Sequence, residues 1–223
     1  MKGVRSRTRA LLLVGGPGAA WLLLTLAVAG HFGPLLRFDA WASDAAHHAA
    51  VAHPLWRSAM AAVTTTGSTA ILGPLLLVGC VILLAVGRWQ QAVFAAVAAL
   101  AAVCSRLLVL AAVARPRPAD QLAPASGYAY PSGHSTASAA AALILVLICW
   151  PLLTRRWSRI LLAVTAGAWA VIVGVSRVAL VVHWPSDVLG AWLFTATIVA
   201  GTSLLLRAAV ADPPGRAAVS ETR

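Results

Sequence analysis

Between Leu11 and Leu206 the chain is a succession of apolar runs about twenty residues or more in length, with its charges gathered at the joints. A helix of about twenty apolar residues reaches across the roughly 30 Å hydrocarbon core of a bilayer, and a helix satisfies its own backbone polar groups there. The sequence is 61% hydrophobic and only 10% charged, whereas about 25% of a soluble domain is charged. The pattern therefore predicts an all-α, polytopic membrane protein: one domain, a bundle of six transmembrane helices, with no repeat and no second domain. The expected spans lie at about residues 11–30, 60–87, 90–113, 134–153, 160–182 and 185–206. The first follows Lys2, Arg5, Arg7 and Arg9 in the manner of a signal peptide. No small-residue cleavage site with a soluble domain comes after it, so it reads as an uncleaved helix.

Charge sets the expected topology. The formal net charge is +11, from 17 Lys+Arg against 6 Asp+Glu, a balance that in a soluble protein would suggest nucleic acid. Here the cations sit at the ends of apolar runs, where orientation in the membrane accounts for them, and no nucleic-acid partner is expected. Six spans put both termini on one side. That side holds the four N-terminal basic residues, Arg88, Arg155, Arg156, Arg159 and the tail arginines Arg207, Arg216 and Arg223, eleven of the seventeen. The positive-inside rule makes it cytoplasmic in a cell-membrane protein. Loop 31–58, loop 114–133 and the corner at His183 then share the outer face.

Metal and redox chemistry find little to use. Cys80, Cys104 and Cys149 lie inside apolar runs without metal or redox spacing and read as small core residues. Loop 31–58 is expected to be polar, with a short helix on the membrane surface. Its adjacent His47 and His48 would point about 100° apart on a helix and have no acid at matching spacing. Of the acids only Asp120 and Asp187 fall near the polar clusters, too few for a two-metal site. Neither metal nor cofactor is expected.

Three polar clusters, distant in sequence, meet on the outer face. The first is Arg115-Pro-Arg-Pro118, whose prolines stop a helix and stiffen a loop, and whose guanidinium forks match phosphate oxygens two at a time. The second is Pro131-Ser-Gly-His134, where Ser132 caps a helix, Gly133 permits close approach to its exposed N–H groups, and His134 in the first turn can give a proton to a leaving oxygen. Alone, it is also what an ordinary capped helix start looks like. The third runs from Ser176-Arg177 to His183 and Asp187. With Pro185 opening a helix, Asp187 sits in its first turn and reaches back to His183, fixing the ring and sharpening its far nitrogen as a nucleophile. Arg106 lies inside the third span and should face the bundle interior, unless it snorkels to the surface.

These three clusters resemble the signature motifs of the type 2 phosphatidic acid phosphatase family of integral-membrane lipid phosphatases, which are similar to vanadium haloperoxidases. The motifs cover about thirty positions, and their order within six spans extends the resemblance to nearly the whole chain. The resemblance implies a metal-independent phosphatase acting on the terminal phosphate of a lipid: phosphatidic acid, phosphatidylglycerol phosphate or a polyprenyl diphosphate. His183 would form a phosphohistidine, Asp187 would orient it, and His134 would protonate the leaving group. Arg117, Arg177, Ser132 and Gly133 would hold the phosphoryl oxygens. Arg115 is a further candidate contact.

The chain departs from the family's pattern at Leu110, where the first motif has a lysine. Arg106, one helical turn earlier on the same face, could supply the missing charge. Two other readings use the same residues: a lipid phosphotransferase, and a catalytically impaired lipid-binding membrane protein. Oligomeric state is not legible.

Overall fold

A computed structural model describes residues 2–211; Arg216 and Arg223 lie outside the described residues, as do the side chains of Lys2, Arg5, Arg7 and Arg9. Among the described residues every regular element is helical: α1 (Lys2–Ala29), α2 (Gly33–Ala52), α3 (Pro54–Thr66), α4 (Thr69–Ala85), α5 (Trp89–Val113), α6 (Gly133–Cys149) with a 3-10 turn over Trp150–Leu152, α7 (Arg156–Ala179) and α8 (Pro185–Ala211). Five stretches are long and apolar enough to cross a membrane: Pro54–Ala85, Trp89–Val113, Gly133–Leu152, Arg156–Ala179 and Pro185–Arg207. A sixth counts if the bent pair Val14–Ala29 and Gly33–Ala52, at 86° to each other, is one span.

Two expectations are corrected. Residues 33–52 and 54–66 are not a polar loop with a short helix but two helices of 20 and 13 residues. Alanine, the strongest helix former, recurs through this stretch, and Pro34 and Pro54 stand where helices start and a missing N–H costs nothing. The span expected from Met60 instead begins at Pro54 and is broken at Gly67-Ser68 between α3 and α4. Trp169 donates from its indole to Thr66 beside that break (3.0 Å).

Small residues set how closely the helices approach. A Cβ at Gly174 would stand 2.3 Å from Trp192 and 2.7 Å from Val188, so only glycine lets α7 and α8 meet there. One at Gly190 would run into the Tyr130 ring at 2.5 Å. Tyr130 is fully buried and its hydroxyl pairs with Thr25 (2.7 Å), which ties the long loop between α5 and α6 to α1. Burial pushes the phenol up to about 12, so this tie is that of a neutral hydroxyl. Ala95, Ala98, Ala102, Ala140, Ile144 and Val199 form the central core where α5, α6 and α8 cross. The C-terminal ends of α5 and α7 and the N-terminal ends of α6 and α8 thereby come together at one end of the bundle, and Arg88, Arg155, Arg156 and Arg159 lie at the other.

Candidate active site

Residues 180–184 turn from α7 into α8 and carry His183 into the interior. The turn is held by backbone bonds from Leu180, Val181 and Val182 back to the last turn of α7, with Val181 in the left-handed region at φ 55°. His183 is 2% exposed. Pro185 opens α8, and Asp187 in the first turn accepts from the Trp184 backbone N–H through Oδ2 (2.9 Å). That oxygen also faces His183 Nδ1 at 3.4 Å, an ion-pair separation rather than an aligned hydrogen bond, and Nδ1 has no closer partner. Burial pushes the imidazole down to about 4, against the pull of Asp187. The ring is thus neutral near pH 7, and with its proton on the Asp187 side Nε2 carries the free pair.

Nε2 meets Arg117 Nη1 at 3.0 Å. The rest of the Arg117 guanidinium is held by backbone carbonyls: Val182 (2.7 Å), Gly127 (3.1 Å), Ser126 (3.2 Å) and Tyr128 (3.1 Å). This single side chain therefore fixes the loop between α5 and α6 against the His183 turn. Arg177, in the last turn of α7, is buried and donates to Thr64 on α3 (2.7 Å), while its Nε has no partner among the described residues. Arg106 donates from Nε to the Pro131 carbonyl (3.0 Å), and its guanidinium carbon lies 3.1 Å from where a Gly133 Cβ would be. His134 stands half-buried in the first turn of α6, within the electrostatic reach of Arg177, His183, Arg106 and Arg117. Arg106 and Arg177 each lie within electrostatic reach of Arg117, and all three of His134, so an oxyanion is the species that would relieve their mutual repulsion.

Ser132 occupies the N-cap of α6, but its hydroxyl does not cap the helix; it accepts from Ser135 (3.0 Å), and Thr136 donates to its carbonyl (2.9 Å). Arg115 needs a clearer correction. It is turned away from the space between the three guanidiniums and packs among acids behind Asp187: Nη1 donates to Asp187 Oδ1 and Nη2 to Asp39 Oδ2, both at 2.7 Å. A guanidinium saturated by two carboxylates has no fork left for phosphate. Asp39, 1% exposed on α2, and Thr64 on α3 went unread in the sequence. Asp120 is exposed.

Below the pocket a cavity of about 860 Å³ extends between α4, α5, α6 and α7. Its walls are almost wholly apolar, with Leu72, Leu76, Ala99, Ala102 and Ala140 among them, and it reaches Thr136 two residues from His134.

A sequence model of the PAP2 superfamily matches residues 93–210, more than half the chain and nearly all of α5 to α8. The fold is similar to that of the first transmembrane PAP2-type phosphatidylglycerolphosphate phosphatase from Bacillus subtilis, with a TM-score of 0.78 at 23% sequence identity, covering 88% of this chain and 97% of that one. No curated protein matched the sequence.

Proposed function

The chain belongs to the PAP2 superfamily, and from that membership we propose that it is a membrane phosphatase which removes the terminal phosphate of a lipid through a phosphohistidine at His183. The observation that carries this reading is the placement of His183: Nε2 meets the Arg117 guanidinium while Nδ1 faces a buried carboxylate. The pair on Nε2 attacks phosphorus. The P–O bond to the lipid breaks with its electrons going to the leaving oxygen, which takes a proton from His134. Water then attacks phosphorus, the P–N pair returns to Nε2, and His134 takes the water's proton. Arg117, Arg177, Arg106 and the Gly133 N–H hold the phosphoryl oxygens and offset the charge that develops on them. The cations in this pocket are guanidiniums, which repel a metal ion, so the reaction is expected to run in EDTA.

The position of the pocket suits a lipid. Its head reaches the arginines at the bundle's end and its tail lies in the apolar cavity leading from Thr136. Arg88, Arg155, Arg156 and Arg159 at the opposite end favour an orientation with that end cytoplasmic and the pocket facing outward.

The test is phosphate release by the detergent-purified protein in EDTA from phosphatidic acid, phosphatidylglycerol phosphate and undecaprenyl diphosphate. Release that survives chelation supports the reading and ranks the substrates. Transfer of phosphate to an added acceptor lipid without release would favour a phosphotransferase, and no turnover of any kind would favour a lipid-binding protein without activity.

Arg106 is assigned the charge that the family's lysine would supply at Leu110. Arg106→Ala is expected to lower turnover by about 10²- to 10³-fold, or roughly 3–4 kcal/mol of transition-state stabilisation. A loss of tenfold or less, measured with the fold intact by thermal melting in detergent, would return Arg106 to a purely structural bond with Pro131.

A further inference from the structure

Behind Asp187 the structure holds a second buried carboxylate for which the reaction just described has no use. Asp39 comes from α2, far from the other site residues in sequence, yet it is locked to them at every polar atom. Oδ1 accepts from the Ser186 N–H (3.0 Å); Oδ2 accepts from the Ser186 hydroxyl (2.5 Å) and from Arg115 (2.7 Å). Arg115 also donates to the Ser186 hydroxyl (2.6 Å) and passes on to Asp187 (2.7 Å). Trp184 covers the assembly, its ring 5.4 Å from the Arg115 guanidinium carbon and its indole N–H on the Pro116 carbonyl.

Charge is what separates this network from an ordinary structural ion pair. Two carboxylates share one guanidinium, so the buried group carries a net charge of −1. Charges left unbalanced in a protein interior are costly unless something nearby offsets them. The groups that face the surplus are His183 Nδ1, 3.4 Å from Asp187, and beyond it the Arg117 guanidinium. A ring phosphorylated on Nε2 that keeps its proton on Nδ1 carries one positive charge.

We propose that Asp39 is a positioning residue: through Arg115 and Ser186 it fixes Asp187 against His183, and it supplies the surplus negative charge that steadies the cationic ring of the phosphorylated intermediate. This inference rests on the phosphohistidine reading. The other charged or titratable groups bearing on His183 are Asp187 on α8, Arg117 in the loop, Arg177 on α7 and His134 on α6. Apart from Asp187 all of these are cations or potential cations, so among the described residues negative charge reaches the ring from the back of the site.

Asp39→Asn keeps the shape of the side chain and removes its charge. Turnover of a lipid phosphate is expected to fall 10- to 100-fold, by analogy with residues that orient metal-bound histidines, with KM changed less than about twofold. The acid limb of kcat/KM should move to lower pH, because a less negative surround makes His183 harder to protonate. Wild-type kcat together with an unmoved acid limb in a folded Asp39→Asn protein would overturn the proposal. If that variant melts early, Asp39→Glu replaces it: charge kept, carboxylate displaced, kcat lowered and the acid limb unmoved. A wild-type kcat there would equally overturn it. Quenching the wild-type protein in SDS at alkaline pH, where the P–N bond survives, with labelled lipid phosphate separates the two readings: no label on His183 sinks the phosphohistidine itself, whereas a labelled His183 with an indifferent Asp39→Asn sinks only the role of Asp39.

Discussion

Replacing His183 by alanine is expected to abolish phosphate release, a fall on the order of 10⁴-fold or more, since on the proposed reading its Nε2 makes the bond to phosphorus. The three guanidiniums remain in the variant, and on the proposed reading they are the phosphate's ligands, so KM should change much less than kcat. Because the side chain is 2% exposed, the measurement needs a melting curve beside the assay, and an unaltered curve with substantial turnover would remove the nucleophile assignment. The pH dependence follows from the same burial. With the ring pushed down to about 4 from its ordinary 6.5, Nε2 stays unprotonated well below neutrality, so the acid limb of kcat/KM should lie nearer 4 than 6.5. The sign for stability runs the same way. Unfolding lets His183 bind a proton between those two values, so the stability present above pH 6.5 erodes as the pH falls toward 4, and His183→Ala should be less sensitive to acid over that window.

The helices from α5 to α8 were legible because hydropathy period, proline stops and basic joints all act locally. So were the three polar clusters, whose residues are close in sequence within each group. That Arg117 sits on Nε2 of His183 and Arg177 on Thr64 was not legible, since those pairs form across 66 and 113 residues. Arg115 shows the limit most clearly. From its place beside Arg117 it reads as a phosphate ligand, and its partner Asp39 reads as one acid in a polar loop. Only the fold of residues 33–52 into a helix lying against α7 and α8 puts Asp39 in contact with Ser186 and Arg115. The available hint was an acid set between Phe38 and Trp41 in an alanine-rich, helix-forming stretch, where a solvated loop would not place its aromatics. Leu110 is the converse case: the sequence exposed the missing lysine, and the structure puts a guanidinium, that of Arg106, against Gly133 in the same pocket.

His134→Ala should separate substrates by their leaving groups rather than lower all rates alike. When phosphatidic acid is cleaved the departing atom is an alkoxide, which is a poor leaving group without a proton, and loss of a positioned acid typically costs 10²- to 10⁴-fold. A fall of about 10³-fold is expected. From 4-nitrophenyl phosphate the leaving oxygen departs as a stabilised phenolate, so in kcat/KM, which reports only the steps through phosphorylation of His183 and not the later attack of water, that substrate should lose far less, at most about tenfold. Removing a half-buried imidazole from a space already crowded by Arg106, Arg117 and Arg177 also leaves phosphate binding intact, so KM should hold or fall slightly. The proton has a source even among so many cations, because a phosphate monoester entering as its monoanion carries one that His134 can relay. An equal loss of kcat/KM on both substrates would mean that His134 holds the phosphate or the helix start and does not donate. The proton would then have to reach the leaving oxygen from water, and His183 with its two carboxylates behind it would be left as the whole of the covalent machinery.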